Sequence, residues 1–225
     1  VDTSGESLVS IVGHLVVIAM FVNVGIRMLP LARPMPWPAV VFVVVIGVPS
    51  LLQPVFPAIT DALARDPHAT IADGQWWRIL TALVAQDGGE VAAVFNLLVV
   101  AVALTFGTWI WGPWIAIALY LAPSIVLNLL AVAWSRPGGG SSFANDGLMF
   151  SVFALALLIG ARDAARPSPR STVLVRVYAG VSVVVAIVLV ASWDAHGVAM
   201  LLGLVLGGGT ALAAGRISAA WTAAG

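Results

Sequence analysis

The sequence predicts an all-α membrane protein, a polytopic helical bundle of seven transmembrane helices. Three observations lead there. Charged residues make up 9% of the chain, against about 25% in soluble domains, which is too little to cover a water-facing surface. Hydrophobic residues make up 61% and the mean hydropathy is +1.06. The apolar residues fall in runs near the ~20 residues a helix needs to cross the hydrocarbon core. A helix satisfies its own backbone hydrogen bonds there. A β-barrel would need short alternating segments, and these runs are apolar all round.

Taken in order, the predicted spans are 8–29, 38–59, 91–107, 109–134, 144–161, 171–192 and 195–214. The first is too long for a signal-peptide core and no basic segment precedes it. The second carries Pro49, Pro54 and Pro57, which predict a locally repaired kink. Breaks separate the spans: a Pro-rich turn at 31–38 (LARPMPWP) and a long 60–90 connection, polar and acidic over 60–78. A Gly-rich loop at 135–142 (SRPGGGSS) reads as flexible, and 162–171 (RDAARPSPRS) is a basic linker.

Charge sets the expected orientation. With the N-terminus outside, the inside connections carry Arg27, Arg33, Arg162, Arg166, Arg170, Arg176 and Arg216. The outside keeps Arg65, Arg78 and Arg136, together with every acid except Asp163. This is the positive-inside pattern, and it places the 60–90 connection on the extracytoplasmic side of what is expected to be a bacterial plasma membrane. The net charge is zero, so no nucleic-acid partner is expected. The chain has no Cys, which excludes disulfides, thiolate metal sites and Cys nucleophiles.

Polar groups inside the spans are the candidates for chemistry, because burying them in lipid is expensive. Asn96, Asn128, Asp146 and His196 stand out, while His14 and Asn23 in the first span show no companions in the sequence. Asp146 opens the fifth span. An unpaired carboxylate at a helix centre costs roughly 2.5–3.5 kcal/mol on insertion scales, and less near a helix N-terminus. Asn145 or Asp146 can therefore simply cap that helix. His196 opens the seventh span above Ala199, Gly203 and Gly207, a small-residue stripe that lets another helix approach closely. Trp76, Trp77 and Arg78 end the long connection, two interfacial aromatics beside an arginine that can snorkel or brace it. One His and one Asp leave too few ligands for zinc, so no metal and no cofactor is expected.

These segments together resemble the rhomboid superfamily of intramembrane serine proteases over about residues 38–214. GQWWRILTALV supplies the Trp-Arg of that family's first loop in Trp77 and Arg78. VFNLLVVAVALTFG supplies its oxyanion-region Asn in Asn96. FANDGLMFSVFAL lies where its nucleophile helix begins, and DAHGVAMLLGLVLGGG where its catalytic His stands above a glycine stripe. The resemblance implies one extra N-terminal transmembrane helix (1–33), a six-helix rhomboid-like core (34–216) and a C-terminal tail (217–225).

The departures carry the functional expectation. The nucleophilic Ser of the family aligns with Asp146, before Gly147, and a carboxylate does not replace an attacking hydroxyl. The family's His one turn before the Asn is Ala92 here. Its loss removes an oxyanion donor of a kind worth about 2.7–4 kcal/mol in other proteases. Phe150 keeps the aromatic that stacks on the catalytic His, and Gly203 and Gly207 keep the stripe. The resemblance therefore implies a vestigial site and a pseudoprotease that binds transmembrane helices of partner proteins as a scaffold, regulator or subunit of a membrane complex. Membrane lipid is the other expected partner. The enzyme alternative is a rhomboid-type protease with a non-standard active site. Aspartyl proteolysis, however, needs two carboxylates sharing a site. A transporter is disfavoured, since no half of the chain repeats in the other.

Overall fold

The computed structural model describes residues 8–29, 33–160 and 169–215. Arg162, Arg166, Arg216 and the 217–225 tail lie outside the described residues. The described residues form helices α1 (Leu8–Met28), α2 (Trp37–Leu52), α3 (Ala58–Leu63), α4 (Pro67–Ala72), α5 (Arg78–Thr81), α6 (Gly89–Trp111), α7 (Pro113–Ala133), α8 (Ser142–Ile159), α9 (Pro169–Ala191) and α10 (Ala195–Ala213). Six of these, α1 and α6 to α10, are long and apolar enough to cross a membrane. The described residues form helices and no strand, and these six helices fit a multi-pass membrane protein.

The second predicted span is shorter than the sequence suggested. α2 ends at Leu52, and at 16 residues it is about 24 Å long at 1.5 Å per residue. Pro54 and Pro57 have no N–H to donate. The chain turns at 53–57 through Val55 and Phe56 N–H bonds to Leu52 O, and a separate short helix starts after Pro57. Pro49 stays inside α2, where Gln53 N–H bonds its carbonyl. The third span is longer than predicted: α6 runs to Trp111 and stops at Gly112, whose φ of +84° is a conformation glycine adopts freely.

The chain divides into two compact units, Met35–Leu148 on the one hand and Val1–Pro34 with Met149–Gly225 on the other, and the boundary falls inside α8. In the Met35–Leu148 unit α2 packs on α6 and α6 on α7, with α4 and α5 against α7. Trp37 and Trp114 meet edge-on, centroids 5.4 Å apart, joining the starts of α2 and α7 at one end. At the other end Arg65 and Gly138 pair backbone to backbone, at 2.8 and 3.1 Å. In the second unit α9 packs on both α1 and α10. Ala199, Gly203 and Gly207 of α10 are buried. A Cβ on Gly207 would stand 2.4 Å from Ser151 Cα, so at Gly207 the backbone of α10 lies directly against α8.

Candidate functional site

In the Met35–Leu148 unit the 53–88 connection is a built polar structure. The side chain of Arg65, only 8% exposed, donates from Nε to Arg136 O at 2.8 Å, from Nη2 to Pro137 O at 3.2 Å, and from Nη1 to Asn128 Oδ1. Asn128, on α7, donates in turn to Ile79 O at 3.0 Å and Ser124 Oγ at 3.3 Å. Burial pushes the Arg65 guanidinium down from its ordinary range, and the Asp87 carboxylate pulls it back. Arg78, also buried, donates to Gln75 Oε1 at 2.7 Å, Ala64 O at 2.6 Å and Asp61 O at 2.8 Å. Of the roles open to it from sequence, this is the brace. Trp76 and Trp77 beside it are exposed, as interfacial anchors are.

The Gly-rich segment at 135–142 is held in place, contrary to its reading as a flexible loop. Gly140 N–H bonds Ala82 O at 2.8 Å, and Gly139 N–H bonds Asp87 Oδ2 at 3.0 Å. A Cβ at Gly139 would stand 2.3 Å from Ala85 O. The glycines serve close backbone approach here. A chain of amides continues from this region. Gln86 N–H donates to Gln53 Oε1 at 3.0 Å, and Asn96 Nδ2 to Gln86 Oε1 at 2.9 Å. Asn145 Nδ2 reaches Asn96 O at 3.4 Å. Asn96 thus belongs to an amide network. Ala92, one turn earlier on α6, adds no polar atom to it.

α8 is the most enclosed of the six long helices, with 72% of its span buried against 28–50% for the others. It begins at Ser142, so Asn145 and Asp146 lie in its first and second turns and neither is its cap. Asp146 is 1% exposed. Gly147 beside it is required by packing, since a Cβ there would stand 2.3 Å from Pro123 Cγ. Ser141, the hydroxyl just before the helix, is fully buried. Phe150 is fully buried too, its ring edge-on to Phe153 at 5.1 Å.

In the second unit His196 stands at the start of α10. Asp194 caps that helix, accepting from His196 N–H at 2.9 Å, and its Oδ1 lies 2.7 Å from His196 Nδ1. Burial raises the Asp194 carboxyl. The bond and charge of His196, with smaller help from Ser10 and the His196 N–H, outweigh this and hold it well below the usual carboxylate range. The ring edge-on to His196 is that of His14, centroids 4.8 Å apart and 89° between planes. His14 Nδ1 lies 2.8 Å from Ser10 O. The first span therefore supplies a companion that the sequence did not reveal, because the two histidines sit near opposite ends of the chain with no local pattern joining them. Asn23 bonds within its own helix, to Ala19 O at 2.8 Å.

No protein-family model matches the chain, and no curated protein matches it.

Proposed function

We propose that this chain is a rhomboid-like membrane protein without the proteolytic chemistry, and that it binds transmembrane helices of partner proteins as a scaffold, regulator or subunit of a membrane complex. In this reading α1 is the extra helix and α2 completes a seventh crossing. The N-terminus and the 53–88 connection face the extracytoplasmic side. The observation that carries the reading is the side chain at position 146. It is a carboxylate, 1% exposed and fixed in the second turn of the most enclosed helix, where the resemblance calls for an attacking hydroxyl. Ala92 supports it by offering no donor beside Asn96. The braced Trp77–Arg78 segment and the small-residue face of α10 support a retained scaffold.

The test joins two measurements on the full chain. Extraction in mild detergent is expected to bring down a membrane partner in fixed ratio to the chain. A cleavage assay on transmembrane substrates is expected to give the same background product from wild type and Asp146→Asn. A chain that emerges alone, or product that depends on Asp146, sinks the proposal.

A further inference from the structure

We propose that the outer face of α1 is a self-association surface, on which a second copy of this chain docks with its Asn23 paired to Asn23 of the first. Asn23 is exposed, and its Nδ2 donates to Ala19 O of the same helix at 2.8 Å. Among the described residues its amide makes no other hydrogen bond. One N–H and the Oδ1 acceptor are left over. The residue stands roughly 7.5 Å along the axis from the midpoint of α1, inside a hydrocarbon core about 30 Å thick. Lipid tails offer neither atom a partner, and an unmet amide in hydrocarbon is costly. The side chain is too short to carry its polar end to the headgroups.

The face around Asn23 suits a helix. Val9, Val12, Val16, Ala19, Asn23 and Ile26 recur at alternating three- and four-residue spacing, so they line one side of α1. All six are at least partly exposed, whereas Val17, Phe21, Val24 and Met28 on the other side are buried. Val9, Val12 and Val16 also form one wall of an apolar groove, with Val184 and Val188 of α9 in the other. An apolar seam broken by a single amide is the pattern by which paired helices fix their register. Lipid satisfies the valines, so the amide is what calls for a protein partner. An amide carries both donor and acceptor, and two asparagines satisfy each other reciprocally across a two-fold axis. Copies of one chain enter the bilayer in the same orientation. Asn23 therefore meets Asn23 at equal depth, whereas a different protein needs a polar group placed at that level. Self-association of this kind requires only that α1 spans the membrane, whatever the chemistry at position 146.

The experiment uses the full chain. The sequence has no Cys, so Ala19→Cys and Ile11→Cys each place one thiol on an exposed position of α1, the first on the seam and the second off it. Oxidative cross-linking in native membranes, read by mass, is expected to give a homodimer from Ala19→Cys and several-fold less from Ile11→Cys. Sedimentation equilibrium over a range of protein-to-detergent ratios then compares the Cys-free chains. Asn23→Leu should weaken the dimer about 10-fold, while Asn23→Gln, which keeps the amide, should stay within about threefold of wild type. If Asn23→Leu does not fold, the cross-links on the Asn23-bearing chain decide. A chain that is monomeric at every ratio, its face covered by lipid alone, overturns the proposal. So does a cross-linked product holding a different protein, equal yield from the two cysteines, or wild-type affinity in Asn23→Leu.

Discussion

Replacing Arg65 with Met tests whether the 53–88 connection is held by its polar core. The side chain donates three hydrogen bonds, to Arg136 O, Pro137 O and Asn128 Oδ1. Arg136 and Pro137 are exposed, so their carbonyls regain water when the guanidinium is removed. Each of those losses is worth about 1 kcal/mol. Asn128 is 2% exposed, and its orphaned oxygen costs about 1–3 kcal/mol. The Met stem keeps the packing, and removing a buried charge returns part of the loss. The expected net destabilisation is about 2–4 kcal/mol. Asn128→Leu alone should cost a similar amount, because it takes away the acceptor of Arg65 Nη1 and the side-chain donor to Ile79 O. The double variant removes both polar partners together. It should therefore be less destabilised than the sum of the singles by about 1–2 kcal/mol or more. Reversible unfolding in mixed detergent micelles measures all three. A single-variant loss under about 0.5 kcal/mol, or strict additivity, would refute the reasoning.

Glycine substitutions on α10 should divide sharply by position. Gly207→Ala forces a methyl to within 2.4 Å of Ser151 Cα and should cost about 1–3 kcal/mol by overpacking. Gly208→Ala and Gly209→Ala meet nothing within 4 Å and should be neutral or stabilising by up to about 1 kcal/mol. The same unfolding assay reads both sets. Trp193 is 97% exposed with φ +61°, so Trp193→Gly should stabilise by about 1 kcal/mol through relief of the left-handed backbone. A lowered midpoint would contradict this. Because the chain has no Cys, single cysteines report topology cleanly. Asp73→Cys should react with an impermeant maleimide added outside intact cells, and Arg33→Cys should react only after lysis. The reverse pattern would invert the orientation.

The spans were legible because lipid enforces length and continuous apolarity, and both are visible in sequence. Boundaries failed where one residue type has two uses. Gly107 reads as a break, yet it sits inside α6 where a side chain would press on Leu148. The real break is Gly112 followed by Pro113. Pro49 is tolerated within α2, while Pro54, four residues after Ser50 bonds back to Ile46 O at 2.6 Å, follows its end. The glycines at 138–140 read as slack and are instead contact points for Ala82, Ala85 and Asp87. The arginine that braces the long connection was visible as a motif, but Arg65, its equal in burial, carried no motif and was read only as a charge. His14 could not be read as a site residue, since tertiary packing alone brings it to His196.

The Arg65 bonds also set an order of events. They join points 63 to 72 residues apart in the chain, and α6 and most of α7 lie between them. Contacts of such separation form only after the intervening segment is placed. The 53–88 connection therefore closes last, after α7 is in place and the 136–140 backbone has come to meet it. Until then Arg65 and the amides of Gln53, Gln86 and Asn128 remain hydrated. A chain stopped before α7 would leave this segment open, with the Arg65 guanidinium lacking all three of its acceptors.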